Sequence, residues 1–172
     1  MSSTVESRTD VARAVACYNR ASFNNRLPPV TKIRFYTGAP DKLRATCLLS
    51  NKAMQSGLRV MVSTPDEAMT TTLDKMLWTY PGIAFMPHGR TNDPAAATLP
   101  VLVDHLSDNF PHHDLLISLH PTTPAFFSRF EHLVEIVGLD DEDKRLGRER
   151  FALYRNRGYE LQHFDLSQNE GV

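Results

Sequence analysis

The chain has 172 residues and carries 19 Lys and Arg against 20 Asp and Glu, which gives a formal net charge of -1. Hydrophobic residues make up 41% of the chain, enough for a buried core, and the balanced charge argues against bare nucleic acid as the main partner, because phosphate binding needs an excess of clustered cations. No apolar run approaches the ~18 residues of a membrane span and the polar start has no signal-peptide core, so we expect a cytoplasmic protein without a membrane partner.

The N-terminal segment differs from the rest of the chain. Residues 1–30 are rich in Ser, Asn and Arg, and Val11 and Val15 lie four residues apart. This extension is therefore either one short amphipathic helix or a disordered tail. The regular pattern begins at Thr31, and we predict a single α/β domain over residues 31–168, followed by a tail at 169–172.

The first half of the predicted domain alternates strands with helices. Its clearest helix start is Thr64-Pro65-Asp66-Glu67, where Thr64 can serve as the N-cap, Pro65 fits the first helical position and Glu67 completes a capping box. We predict a strand at 33–36, a helix at 40–56, a strand at 59–63 and a helix at 64–78.

The second half continues the alternation. The apolar run Leu115–Leu119 is typical of a central parallel strand, buried on both faces. Strands that alternate with helices predict a three-layer α/β/α fold with a mostly parallel sheet. We predict strands at 83–86, 99–103, 115–119 and 133–137, a loop at 89–98, a short helix after Pro124 and a last helix at 140–157.

The predicted topology is similar to that of nucleotide-binding domains, but the phosphate loop is missing. The sequence contains neither the glycine-rich P-loop pattern nor the dinucleotide-binding glycine fingerprint, and Gly38 and Gly57 are isolated. Without such a loop the backbone cannot easily approach a pyrophosphate. We therefore predict no cofactor.

The histidines allow one alternative. His112 and His113 could supply metal ligands, with His88 or His120 completing a site. Adjacent residues that enter a strand point to opposite faces, however, so these two rarely share an ion, and a polar turn is the simpler interpretation. We predict no metal, and the alternative function is a small metal- or nucleotide-dependent enzyme that uses the His112-His113 region.

The last predicted helix has acids in its first turn and bases further along, which suits the helix dipole. Lys144, Arg148, Phe151 and Arg155 recur at helical spacing and share one stripe, with an aromatic ring among three cations. This stripe fits a short peptide with carboxylates and an apolar end, because the cations can bind the acids while the ring contacts the apolar side chain. The core stripe beside it is predicted to consist of Leu146, Leu153 and Tyr154.

A second candidate surface surrounds Trp78. Trp78 and Tyr80 are followed within ten residues by Phe85, Met86 and Pro87. These large apolar groups are either a satellite of the core or an exposed patch of the kind that marks partner sites.

Four short motifs follow one another in a specific order. They are LDKMLW at 73–78, FMPH at 85–88, DLLISL at 114–119 and RERF at 148–151. In this order and spacing the chain resembles the chi subunit family of the bacterial DNA polymerase III holoenzyme, from about Phe35 to Asp165. The resemblance implies a nucleotide-binding-like α/β fold without a phosphate loop and a non-catalytic role in DNA replication.

The family also implies two protein partners. Chi pairs with the psi subunit, which tethers it to the clamp loader, and it binds the acidic, Phe-terminated tail of the single-stranded-DNA-binding protein, so that DNA is contacted only indirectly. The family's psi-binding residues correspond here to Trp78, Phe85, Met86 and Pro87.

The resemblance also assigns the tail-binding site. Lys144 and Arg148 would bind carboxylates, Val137 would line the apolar pocket, and Phe151 and Arg155 would complete the site. Phe151 stands where the family often has Tyr, and Ala152 stands where a Lys can occur.

Overall fold

The computed structural model describes residues 30–80, 85–106 and 108–167. The predictions for the N-terminal extension and for the C-terminal tail lie outside the described residues. From Thr31 onward the described residues belong to one compact unit.

The unit is built on one sheet whose paired strands are all parallel. The elements are β1 Lys32–Ala39, α1 Lys42–Gln55, β2 Val60–Ser63, α2 Glu67–Thr79, β3 His88–Gly89, β4 Val101–Asp104, β5 Leu115–Ser118, a 3-10 helix Phe127–Arg129, β6 His132–Gly138, α3 Asp141–Asn156 and β7 Leu161–Asp165. The strand order in the sheet is β3-β4-β2-β5-β6-β1-β7.

Two hydrophobic cores lie on the two faces of the sheet. One core joins Val62 and Ile117 to α1 and α2, and the other joins Phe35 and Leu116 to α3 and the 3-10 helix. The inner strands β2, β4 and β5 are buried along their whole length, as expected for parallel strands covered on both faces. The predicted three-layer α/β fold is confirmed.

The start of α2 differs from the prediction. The N-cap is Asp66, whose carboxylate accepts a hydrogen bond from the backbone N–H three residues further on at 2.8 Å. The hydroxyl of Thr64 is turned inward and lies 3.3 Å from the carbonyl oxygen of Asp104. The carboxylate of Glu67 binds the guanidinium of Arg90 at 2.8 Å, so no capping box forms. Both side chains predicted to cap the helix therefore bind groups elsewhere in the fold: Thr64 the carbonyl of Asp104 and Glu67 the guanidinium of Arg90.

One strand prediction fails in part and one strand was missed. Of the strand predicted at 83–86, residues 83–84 lie outside the described residues, Phe85 and Met86 lie outside regular structure, and the short strand β3 begins only at His88. The strand β7 was not predicted at all, because Leu161–Asp165 is a mostly exposed strand at the end of the sheet and lacks an apolar run.

Candidate functional site

The helix α3 is fixed at its first turn to the end of β6. The Asp140 side chain is the N-cap and accepts hydrogen bonds from the backbone N–H groups of Glu142 and Asp143 at 3.1 Å. The carboxylate of Asp143 accepts from the backbone N–H of Gly138 at 2.7 Å and pairs with Lys42 at 2.9 Å. The acidic first turn therefore both caps the helix and positions it on the sheet.

A buried polar network holds the middle of α3. Arg150 Nε lies 3.0 Å from Glu135 Oε2, and the hydroxyl of Tyr154 donates to Glu135 Oε1 at 2.7 Å. Arg150 also donates to the carbonyl oxygen of Pro121 at 2.7 Å. Burial raises the pKa of Glu135 to about 7, although Arg150 and Tyr154 act in the opposite direction. A charged pair this deeply buried requires both partners, because removing one leaves an uncompensated charge.

This network corrects the predicted core stripe. Tyr154 is buried as expected, but Leu146 is only partly buried and Leu153 is 36% exposed. The buried positions of α3 are Gly147, Arg150 and Tyr154. A polar side chain occupies the core face here because its partner, Glu135, comes from β6.

Gly147 brings the helix close to the sheet. A Cβ atom at this position would lie 2.7 Å from Cγ2 of Val137, closer than carbon atoms can approach. The α3 backbone therefore packs directly against β6, and Val137 is buried beneath it.

A groove of about 530 Å³ opens between α3 and the ends of β1 and β7, a volume within the range of ligand sites. The ring of Phe151 is half-buried and meets the ring of Phe35 edge-on at a centroid distance of 5.1 Å. The groove is lined by Phe35, Thr37, Gly38, Val137, Leu139, Lys144, Gly147, Arg148, Phe151, His163, Asp165 and Ser167. Four of the five residues predicted to bind an acidic tail thus line one groove.

The cations of α3 differ in their partners. Arg145 binds Glu142 at 2.6 Å and Glu149 at 2.5 Å. Within the part of the chain that the structure describes, the one ion pair of Lys144 is with the exposed Asp141, at 3.7 Å, a pair worth little free energy. Among the described residues, Arg148 has no ion pair and no side-chain hydrogen bond. Arg148 and Lys144 therefore remain available to an anion in the groove.

Arg155 lies outside the groove. It is exposed on the same helix, almost two turns after Arg148, and does not belong to the groove lining. The structure therefore does not bring this predicted residue together with the other four.

The wall opposite α3 was missed because β7 was missed. His163 Nε2 lies 2.8 Å from the hydroxyl of Thr37. Asp165 Oδ1 accepts hydrogen bonds from the backbone N–H of Ser167 at 2.9 Å and from its hydroxyl at 2.6 Å. These two bonds hold the pKa of Asp165 below its usual value. The segment Leu161–Asp165 has neither an apolar run nor a regular alternation of apolar and polar residues, so the sequence gives little signal for this strand.

An exposed aromatic pair lies toward the other end of the sheet. Trp78 is 59% exposed and Phe85 is 71% exposed, and their ring centroids are 5.5 Å apart. The ring of buried His88 lies 4.8 Å from that of Trp78, and Pro87 is partly buried. Met86 is only 1% exposed, so its predicted place on this surface is wrong: it packs in the core.

The histidines of the alternative prediction lie in separate surroundings. His112 is buried and neither ring nitrogen has a hydrogen-bond partner among the described residues, and burial lowers its pKa. The ring of His113 packs on that of Phe130 at 5.4 Å, while His120 Nε2 lies 2.9 Å from the hydroxyl of Ser63. Within the described ranges, no group of three or more His, Cys, Asp or Glu could hold a metal ion.

One negative finding concerns membranes. A search of the part of the chain that the structure describes found no helix with the length and apolar character needed to span a bilayer.

Comparison with known proteins identifies the family. The family model described as DNA polymerase III chi subunit, HolC, matches residues 30–162. A Pseudomonas aeruginosa protein named DNA polymerase III subunit chi is 33% identical over 141 residues, which cover 80% of this chain and 98% of that protein. The proteins of the same name from Escherichia coli K12 and Haemophilus influenzae are 31% and 30% identical, over 67% of this chain and 79% and 81% of their own lengths. The chain therefore belongs to the DNA polymerase III chi subunit family, and its function lies in DNA replication.

Proposed function

We propose that this chain is a non-catalytic adaptor of the replication machinery in the bacterial cytoplasm. Its groove binds the acidic C-terminal tail of the single-stranded-DNA-binding protein, and its exposed aromatic pair binds the psi subunit of the clamp loader. The observation that carries the proposal is Arg148, an arginine without an acid partner among the described residues, which lines an apolar groove next to Lys144 and Phe151.

The groove matches the chemistry of an acidic tail that ends in an aromatic residue. Arg148 can bind a carboxylate with two parallel hydrogen bonds, and Lys144 adds a second positive charge. Half-buried Phe151 and exposed Leu139 provide the apolar surface for the terminal side chain, above the buried Phe35 and Val137. The two requirements of the peptide, charge and apolar contact, are thus met within one groove.

The aromatic pair has the character of a protein interface. Exposed Trp and Phe side chains in contact with each other are uncommon on a monomer surface, and Trp is among the residues that contribute most to binding free energy. Trp78 and Phe85 meet this description. The strand β3 lies at the opposite end of the sheet from β7, and α2 packs on β3 and β4. The two proposed sites are therefore far enough apart for both partners to bind at once.

Two substitutions test the adaptor, each serving as the control for the other. Arg148→Ala is expected to weaken binding of a synthetic acidic peptide that ends in Phe by roughly 1–3 kcal/mol, because it removes a charge-assisted hydrogen bond, while co-purification with psi is retained. Trp78→Ala is expected to abolish co-purification with psi and to leave the peptide affinity unchanged. Isothermal titration and pull-down from cells that express both proteins measure these effects.

Arg145→Ala is the charge-matched control for the peptide site. Arg145 lies on the same helix but is bound to Glu142 and Glu149 and does not line the groove. We expect its removal to change peptide affinity less than twofold. Equal losses for Arg145→Ala and Arg148→Ala would contradict a specific role of the groove.

A further inference from the structure

The two walls of the groove carry opposite charge. Lys144 and Arg148 lie on the α3 wall, whereas Asp165 lies on the β7 wall and is the only acid among the described residues that line the groove. An acidic peptide in this groove therefore meets cations on one side and a carboxylate on the other.

The carboxylate of Asp165 is held in place. Asp165 pairs with Thr37 in the parallel register of β1 and β7, and two hydrogen bonds from Ser167 fix Oδ1. Gly38 has a φ of +70°, and a Cβ atom at that position would lie 2.8 Å from the same oxygen. The absence of a side chain at Gly38 thus leaves room for the carboxylate beside the β1 backbone, at the edge of the groove.

Nearby groups do not neutralise this charge by direct contact. The hydrogen-bond donors to Asp165 come from Ser167 and are uncharged. His163, two residues earlier on the same strand, is hydrogen-bonded to the hydroxyl of Thr37 and acts on Asp165 only through space, where it adds to the lowering of the pKa of Asp165. Among the described residues, no lysine or arginine forms an ion pair with Asp165, so its charge acts on whatever enters the groove.

We propose that Asp165 is a specificity-determining residue of the groove, one that repels peptide carboxylates from the β7 wall and so restricts an acidic peptide to one orientation, with its acids on the α3 side. This inference rests on the proposed binding of an acidic tail. Like charges that approach within a few ångströms oppose binding, and such repulsion discriminates between partners as effectively as attraction does. The cations supply affinity, and Asp165 decides where each peptide carboxylate can lie.

The test compares Asp165→Asn with wild type, using a set of peptides that end in Phe and carry a single Asp at successive positions. Wild type is expected to bind these peptides with affinities that differ markedly by position, because positions facing β7 are disfavoured. Asp165→Asn is expected to bind the disfavoured peptides about three- to tenfold more tightly at low salt, and to change the favoured ones less than twofold. The gain should shrink as the salt concentration rises.

Glu160→Gln is the matched control. It also removes one negative charge, but Glu160 is exposed, precedes β7 and does not line the groove. We expect less than a twofold change for every peptide. Asp165→Ser provides a second neutral variant, and thermal unfolding of each variant establishes that it is folded.

The outcomes separate the two proposals. If wild type binds the peptides and Asp165→Asn and Asp165→Ser leave the positional differences unchanged, the role of Asp165 is overturned while the groove remains a peptide site. Weaker binding by both variants also overturns it, because Asp165 would then accept a hydrogen bond from the peptide. If neither wild type nor the variants bind any of the peptides, the proposed function of the groove fails, and the inference fails with it.

Discussion

Arg148 and Arg150 lie two residues apart on one helix and have opposite environments. Arg150 is 4% exposed and bonded to Glu135 and to a backbone carbonyl. Arg148 is exposed, lines the groove and has no acid partner among the described residues. The comparison shows that the face of α3, and not the residue type, decides whether a cation stabilises the fold or remains available to a partner.

The largest expected effect separates the two arginines by stability. Arg150→Met is expected to lower the free energy of unfolding by about 3–5 kcal/mol, because it leaves the buried carboxyl of Glu135 without its partner. Arg148→Met is expected to change it by no more than about 0.5 kcal/mol, as for most exposed positions. Urea denaturation of both variants measures the difference, and similar losses at the two positions would contradict the assignment.

The pH dependence of stability sharpens the same contrast. Burial raises the pKa of Glu135 from 4.5 to about 7 in the folded protein. The folded state therefore keeps a proton that the unfolded state has lost between these two pH values, and this group's contribution to stability is complete below about pH 4.5 and is lost as the pH rises to about 7.

Glu135→Gln is expected to remove this component of the pH profile, and Arg148→Met is expected to retain it. Denaturation midpoints measured every half unit from about pH 4 to pH 8 give the profiles. If Glu135→Gln and wild type show the same slope of stability against pH, groups other than Glu135 cause the pH dependence.

The smallest expected effect concerns Gly147, which precedes Arg148 on α3 and packs against β6. Gly147→Ala is expected to destabilise the protein by about 1–3 kcal/mol, because the added methyl group overlaps Val137. On an exposed helix face the same change would stabilise by up to about 1 kcal/mol, so the sign of the result is decisive. The variant should also bind the acidic peptide more weakly, since α3 must move away from β6.

Much of the site could be predicted from local pattern. The helical spacing of Lys144, Arg148 and Phe151 predicts a shared stripe, and the structure brings these three residues to one groove. The alternation of strands and helices predicted the layered fold for the same reason. The stripe and the fold can both be predicted because strands and helices have periods of two and 3.6 residues, which short sequence segments display.

What the sequence concealed depended on distant partners. In the sequence, Arg150 cannot be distinguished from the other cations of its helix, because its partner Glu135 lies on β6. Met86 likewise cannot be distinguished from its exposed neighbour Phe85, because only the tertiary structure buries it. The strand β7 is mostly exposed, and its apolar and polar residues follow no regular period. The groove wall that contains Asp165 was therefore absent from the prediction, although the opposite wall was present.

Because β7 is the last strand of the sheet, the two walls of the groove are not held equally firmly. The helix wall is tied to the sheet by a buried charge network, whereas β7 borders β1 alone and is largely exposed. Terminal strands of this kind open locally at lower free energy than the interior of a fold. A ligand that contacts both walls would therefore stabilise β7 against local opening, so that this strand becomes more ordered as more of the protein is bound.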